Sequence, residues 1–248
     1  MLHICSKGLF MTKKGFSKGI VDGLPICIGY FSVAFAFGIF AVGGGLTSIQ
    51  ALLISMTNVT SAGQLAAVPI IAGGGTLLEL TATQIVINLR YALMSISLSQ
   101  KFDKTVTLPH RFAIAFVNTD EVFAVATSKK GSVNKFYMYG LILTPFLGWS
   151  SGTIFGAIAG DILPAIVTNS LNIAIYGMFI AIVVPEIKIS RSVLSCVLIA
   201  IALSCAFYFV PMLSKVPSGF SIIICALVAA TVMAIVSPIN IEEAIDNV

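Results

Sequence analysis

The hydrophobic positions of the chain fall into about eight long apolar segments, separated by short polar or glycine-rich stretches. These segments are 24–42, 48–72, 77–98, 112–127, 136–159, 171–187, 193–210 and 220–236. Most of them approach ~20 residues, the length that a helix needs to cross the hydrocarbon core of a bilayer. The pattern therefore predicts an all-α, polytopic helical membrane protein with about 7–8 hydrophobic segments.

Two of these segments are interrupted by polar residues. In the second, seven of the ten residues from Ser55 to Gln64 are polar or glycine, and residues 118–121 interrupt the fourth. Lipid cannot hydrogen-bond such groups, so they must face protein, water or a ligand. They are either a polar seam between packed helices or breaks in two helices. One or two segments are therefore expected to be broken or re-entrant.

Lysines indicate the orientation of the chain. The first 20 residues carry four lysines, and the loops 99–111 and 128–135 are also basic. Basic segments beside membrane spans tend to stay in the cytoplasm, which is where the N-terminus is expected. If all eight segments cross, as the length of the second favours, the loop 99–111 lies outside and violates this rule. If the second and fourth segments dip in and return, both loops are cytoplasmic. Either arrangement leaves both chain ends in the cytoplasm.

The same pattern predicts three regions along the chain. They are a basic cytoplasmic segment over 1–20, a single transmembrane transport domain over 21–237 and a short acidic tail over 238–248. Residues 37–43 resemble residues 155–160, since both contain Phe-Gly followed by small and apolar residues. This likeness is consistent with an internal repeat, which is common in transporters.

Composition excludes several other classes of protein. Of the 248 residues, 58% are hydrophobic and 10% are charged, whereas soluble domains carry about 25% charged residues. The basic residues lie between apolar segments, as in a membrane topology signal, so no nucleic-acid partner is expected. The two histidines lie outside the apolar segments, no cysteines form a CxxC pair, and no Walker A, GxSxG or HExxH motif is present. No metal, cofactor or enzymatic activity is therefore expected.

The first polar break could bind a zwitterionic solute. A helix that restarts near Ser61 and Gly63 would direct backbone N–H groups at a carboxylate. The side chains of Ser55, Asn58 or Gln64 could accept hydrogen bonds from an ammonium group. The candidate substrate-binding residues are Ser55, Asn58, Ser61, Gly63, Gln64 and Asn88. Of these, Asn88 lies in the third segment and would support the site.

Charged residues inside apolar segments are candidates for proton coupling or gating. These are Arg90, Asp120 and Glu121, whereas Glu79, near the start of its segment, is expected at the membrane interface. A charge near mid-membrane costs at least ~2.5–3.5 kcal/mol, so such residues usually face one another or a wet cavity. Because Asp120 and Glu121 are adjacent, they cannot face the same partner on a regular helix. Polar groups on both faces of the third segment predict that it has little contact with lipid.

Two functions fit these features. The first is a secondary transporter that uses the proton gradient, with Asp120 or Glu121 carrying the proton. The second is a passive channel or scaffold subunit of a membrane complex whose partner binds the solute.

Five short motifs in order resemble the AzlC-type branched-chain amino acid permease family. They are Gly19-x5-Pro25-x3-Gly29, Ser55 with Gln64, Asn88-Leu89-Arg90, Thr119-Asp120-Glu121, and Trp149-x2-Gly152-x3-Gly156-x3-Gly160. The resemblance implies a multi-pass protein of the bacterial inner membrane that exports branched-chain or related amino acids with a small AzlD-type membrane subunit. Tyr91 stands where the family commonly has His, and Asn58 where an apolar residue is usual.

Overall fold

The structure is a computed structural model that describes residues 2–164, 166, 177, 180 and 183–238, with side chains from residue 14 onward except that of residue 161. The helices with assigned bounds are α1 (Leu2–Gly43), α2 (Ser48–Thr57), α3 (Ser61–Ala72), α4 (Leu77–Ser99), α5 (Leu108–Ala115), α6 (Asp120–Thr127), α7 (Lys135–Ile162), α8 (Arg191–Phe209) and α9 (Ser218–Val236). Most of the sixth apolar segment, and residues 239–248 of the acidic tail, lie outside the described residues.

The described residues confirm the all-α fold class. Their one strand-like feature is an isolated bridge between Phe102 and Val133. Four helical stretches are long and apolar enough to cross a bilayer, and they are Lys14–Gly43, Lys135–Gly160, Arg191–Phe209 and Ser218–Val236. The first helix begins at Leu2, so residues 2–20 continue into the first apolar segment without a break.

Local sequence explains where several helices begin. At α2, Thr47 Oγ1 accepts from the Gln50 N–H group and the Gln50 side chain accepts from the Thr47 N–H group, forming a capping box. At α7, Asn134 Oδ1 accepts from the Tyr137 N–H group at 2.9 Å. Pro109 lies in the first turn of α5, where its missing N–H group costs nothing. Helix α5 thus begins at Leu108, four residues before residue 112, where the fourth apolar segment is predicted to begin.

The described chain divides into two compact units. The first consists of Met1–Val68 and Ile87–Ile175, and the second of Pro69–Val86 and Tyr176–Val248. The boundaries therefore fall inside α3 and α4. The single transport domain expected over 21–237 stays a prediction.

The first unit is built on the parallel packing of α1 against α7. Four contacts follow one another along both helices, because the backbone of residues 27, 31, 35 and 39 meets the glycines at 148, 152, 156 and 160. A Cβ at Gly156 would lie 1.9 Å from the Phe35 carbonyl oxygen, and one at Gly38 would lie 2.2 Å from the Thr153 carbonyl oxygen. The missing side chains thus let the two backbones touch.

The second apolar segment is a hairpin of α2 and α3 that returns to the end it came from. If α2 and α3 formed one crossing helix, Val68 would lie ~30 Å from Ser48. Instead, a Cβ at Gly44, only four residues before Ser48, would lie 2.8 Å from Val68 Cγ1. The chain therefore comes back to the C-terminal end of α1.

The fourth apolar segment is a second hairpin, formed by α5 and α6, and it enters from the other end of the α1–α7 pair. At its start, His110 Nδ1 lies 2.7 Å from Tyr139 Oη. Just past its end, Lys129 Nζ lies 2.7 Å from Asp22 Oδ2, which also accepts from Tyr137 Oη at 2.9 Å. Both ends of this hairpin are therefore beside the start of α7.

The hairpins show that the second and fourth segments are re-entrant, so the alternative in which all eight segments cross is wrong. Length had favoured crossing, but a tight break lets a long segment double back on itself. With both segments re-entrant, the loops 99–111 and 128–135 lie at the same end of the first unit. The conflict with the positive-inside rule then disappears.

The third segment presents an exposed apolar face as well as its polar residues, which its sequence pattern did not indicate. Helix α4 exposes a stripe of large apolar side chains along its length, Leu78, Ile85, Leu89, Leu93 and Ile96. Their spacing follows one face of a helix. Its polar residues lie on the remaining surface, where Asn88 contacts Thr60 in the first unit and Glu79 contacts Gly219 in the second.

In the second unit, Glu79 caps the start of α9. Its carboxylate Oε1 accepts from the Gly219 N–H group at 2.7 Å, and the residue is 3% exposed. Pro217, at the N-cap of α9, makes no side-chain cap bond of its own. A carboxylate at a helix N-terminus is favoured by the unpaired N–H groups and the helix dipole. Glu79 is therefore buried and bonded.

Candidate functional site

The tips of the two hairpins meet at one cavity in the first unit. We call residues 58–60 and 116–119 the tips, and the space of about 180 Å³ that both line the tip cavity. Other walls come from Thr57, Asn88 and Tyr91. It is smaller than the ~300–1,000 Å³ of pockets for drug-sized ligands, so it suits a small solute.

Contacts on either side of the tips place the cavity near the middle of α1 and α7. Just before the first tip, Ser55 Oγ lies 2.6 Å from Thr153 Oγ1 of α7. Just after the second tip, the Tyr30 hydroxyl of α1 donates to the Glu121 carboxylate. The rings of Tyr30 and Trp149 are in edge contact, with centroids 5.0 Å apart. The unwound backbone of both tips is therefore surrounded by protein at mid-length of the pair.

Two of the predicted substrate-binding residues line the tip cavity. Asn58 belongs to the first tip, and Asn88 lies opposite it on α4. Thr60 Oγ1 donates to Asn88 Oδ1 at 2.8 Å. This bond fixes the distance between the tip and α4, and it leaves amide groups of both asparagines at the cavity wall.

Ser55 and Gln64 come together but do not line the cavity. Ser55 Oγ donates to Gln64 Oε1 at 3.1 Å and contacts Thr153 Oγ1, and all three residues are fully buried. Among the described residues, Gln64 Nε2 has no hydrogen-bond partner. The cluster ties both arms of the first hairpin to α7 and so positions the tip, and a direct contact of Ser55 or Gln64 with a solute stays a prediction.

Ser61 and Gly63 occupy the first turn of α3, immediately after the first tip. That turn contains no acidic side chain, whereas the first turn of α6 contains Asp120 and Glu121. Each helix start carries a partial positive charge. The charge at α6 is balanced by its own carboxylates, but no carboxylate of its own sequence balances that at α3.

The predicted ionic residues lie beside the tip cavity and have separate partners. Arg90 Nη2 lies 2.8 Å from Asp120 Oδ2, and the same guanidinium donates to Tyr91 Oη at 3.1 Å. Glu121 instead accepts from Tyr30. This confirms that the two adjacent carboxylates face different partners. The side chains of Arg90 and Asp120 are 61% and 45% exposed, so water or another molecule can reach them.

Sequence reasoning missed five residues of the cavity wall that carry polar groups, in addition to three apolar ones. The five are Thr57, Thr60, Tyr91, Asn118 and Thr119. The signal for Asn118 and Thr119 was present, because the fourth segment has a polar break like that of the second. What the sequence lacks is the information that the two breaks, about 60 residues apart, meet in space.

Comparisons with known proteins place the chain among membrane proteins. The family described as AzlC protein matches residues 25–163, which is more than half of the chain and includes both hairpins. An uncharacterized membrane protein of Archaeoglobus fulgidus is 33% identical over 175 residues, or 70% of this chain and 76% of the relative. The inner membrane protein YgaZ of Escherichia coli is 31% identical over 150 residues, or 59% of this chain and 61% of the relative. No solved structure matches the chain.

The matched region contains all the residues that line the tip cavity. The resemblance indicated by the short motifs is confirmed: the chain belongs to the AzlC family.

Proposed function

We propose that this membrane protein is a secondary transporter, a permease subunit that exports branched-chain or related amino acids across the inner membrane with coupling to protons. The observation that carries the proposal is the meeting of two unwound hairpin tips, which enter from opposite ends, around one small polar cavity. Broken helices at mid-membrane are a common way to build a transporter site, because unpaired backbone groups replace the water around a solute.

The unbalanced start of α3 supports binding of the solute's carboxylate. Helix α3 begins at Ser61, directly after Thr60 of the tip cavity wall. Anions bind at helix N-termini, where N–H groups and the helix dipole act together. Since α6 carries its own carboxylates, the solute's carboxylate would be attracted to α3 rather than to α6.

The opposite wall supports binding of an ammonium group and an apolar side chain. Asn58 and Asn88 place polar amide side chains at this wall, and Val59 and Phe116 provide apolar surface. A zwitterion with a short apolar side chain needs this combination. The size of the cavity, about 180 Å³, favours a compact amino acid.

The ionic residues support coupling to protons. Arg90 binds Asp120 directly beside the tip cavity, and both side chains are partly exposed. A carboxylate that exchanges protons must be reachable by water and must gain or lose its counter-charge. In this proposal, protonation of Asp120 releases Arg90, and Glu121 with Tyr30 forms a second proton site.

The proposal also includes a partner subunit and the orientation of the chain in the membrane. The partly exposed Arg90–Asp120 pair and the apolar stripe of α4 are suited to a small AzlD-type membrane subunit, which would shield the charges from lipid. The basic loops lie at the end of the first unit where the chain begins, so the N-terminus would be cytoplasmic. The proposed transport converts no substrate chemically and uses no cofactor.

The test is uptake of radiolabelled valine, leucine and isoleucine into inverted membrane vesicles. We expect uptake against a concentration gradient that an uncoupler abolishes. Asp120→Asn or Glu121→Gln should lower this uphill uptake at least about tenfold, the effect of ~1.4 kcal/mol. Uphill uptake that neither variant nor the uncoupler changes would refute proton coupling.

The passive channel remains the second candidate, because two re-entrant tips that meet at one constriction would also form a narrow pore. The same vesicles separate the two functions. A channel would only equilibrate the solute, with or without an uncoupler. A scaffold would show no uptake at all until its partner is added.

A further inference from the structure

A second cavity, of about 220 Å³, lies between α4 and α5 and adjoins the tip cavity. We call it the α4–α5 cavity. Ala115 and Asn118 line both spaces, so they form the wall between them. From there the α4–α5 cavity extends to Phe102 and Arg111, beside the basic loops. The two spaces together lead from the hairpin tips to one end of the first unit.

Asn118 has one hydrogen-bonding atom in use and one unused. Its Nδ2 donates to Ser95 Oγ of α4 at 3.0 Å. Its Oδ1 is buried and has no partner among the described residues, although the residue is only 3% exposed. Buried acceptors are normally satisfied. An unpaired acceptor in the wall of two cavities indicates a site for a hydrogen-bond donor of a ligand.

We infer that the α4–α5 cavity is the solute's route between the tip cavity and the basic-loop end, and that Asn118 Oδ1 accepts from the solute's ammonium group at the junction. The inference rests on the proposed function for the nature of the solute. The bond from Asn118 to Ser95 ties the second tip to α4 across the junction and closes the route in this structure. Opening requires that bond to break.

The walls of the α4–α5 cavity fit the rest of an amino acid. Ile96, Leu98 and Phe112 provide apolar surface for its side chain. Arg111, at the far end, offers a guanidinium to its carboxylate. A solute that leaves the start of α3 would therefore meet a second set of matching groups along this route.

Cysteine labelling tests the route without requiring transport. A charged, membrane-impermeant methanethiosulfonate is added to vesicles of either orientation, and the labelled residue is identified by mass spectrometry. We expect Ala115→Cys to react from the side of the basic loops. The matched control is Ala113→Cys, which is exposed on α5 outside both cavities and should not react, because it faces the bilayer.

A cysteine in the tip cavity tests whether the bond from Asn118 to Ser95 closes the solute's route. Val59→Cys should react slowly from the basic-loop side in the otherwise unchanged chain, and about 2–10 times faster when Ser95→Ala removes the bond to Asn118, as expected for one hydrogen bond. The route is refuted if Ala115→Cys reacts only with a lipid-soluble maleimide. The closure is refuted if Ser95→Ala leaves the Val59→Cys rate unchanged.

Transport kinetics test the role of Asn118. Asn118→Ala should raise the KM for the exported amino acid at least about tenfold, because a bond to a charged group is lost. Ser95→Ala should leave KM within about twofold, since Asn118 Oδ1, the acceptor proposed for the ammonium group, is still present. Equal rises in both variants would refute direct binding by Asn118. If the wild type transports no amino acid, the proposed function fails, but labelling still decides the route.

Discussion

At the scale of single residues, the glycines of α1 and α7 show which missing side chains matter. Gly38 and Gly156 lie where the two backbones touch, and a Cβ at either would come within 2.2 Å of a carbonyl oxygen. Gly29 differs, because no described atom lies within 4 Å of its Cβ position. The close contact of α1 with α7 therefore uses Gly38 and not Gly29. Sequence spacing alone does not show which face of α1 meets α7.

This contrast gives a matched pair of variants. Gly156→Ala should lower the stability of the protein by about 1–3 kcal/mol, because the backbones must separate to admit a methyl group. Gly29→Ala should leave stability unchanged or raise it by up to about 1 kcal/mol, through the better helix propensity of alanine. Thermal melting in detergent measures both. A melting temperature that falls equally in the two variants would contradict the packing described for α1 and α7.

At the scale of elements, the start of one helix in this protein is completed by a side chain of another helix. The start of α9 takes its acceptor from Glu79 of α4, 140 residues away along the chain. The start of α3 has no carboxylate in its own first turn, which makes it the candidate site for a solute's carboxylate. Position in the sequence placed Glu79 at the membrane interface. Its burial depends on a contact that no local pattern encodes.

The cap predicts an ordered response to substitution. Glu79→Ala should destabilise the protein by about 1–3 kcal/mol, because the Gly219 N–H group is left buried without its acceptor. Glu79→Gln should lose less, since the amide oxygen can still accept that bond. Melting temperatures of the two variants in detergent give the comparison. If the Gln variant is as unstable as the Ala variant, charge rather than hydrogen bonding explains the role of Glu79.

At the scale of the whole chain, re-entrance of two segments determines which loops share a side of the membrane. Residues 101–103 bond to Val133, which joins the loop before the second hairpin to the loop after it. Because both loops are basic, they belong with the basic N-terminus.

The likeness between residues 37–43 and 155–160 has a direct explanation as well. These glycine-containing stretches lie in the parallel contact of α1 with α7, where both helices need small residues.

Labelling of the hairpin ends tests this arrangement. Thr107→Cys and Ser128→Cys flank the second hairpin, and both positions are exposed. An impermeant maleimide should label both from the cytoplasmic side. Ile49→Cys, at the start of the first hairpin, should not be labelled from that side, because the two hairpins enter from opposite ends. Labelling of Thr107→Cys and Ser128→Cys from opposite sides would show that the segment crosses.

The sequence by itself determined the class of the protein, because apolar segments of bilayer length and so few charges leave no soluble alternative. It also located the two polar breaks, since polar groups in apolar segments need partners. Only the tertiary structure decided that the breaks are the tips of hairpins, that Ser55 and Gln64 bond to each other, and that Asn118 faces the same cavity as Asn58. These contacts join residues far apart in the chain, and the periodicity of a helix carries no information about where its neighbours lie.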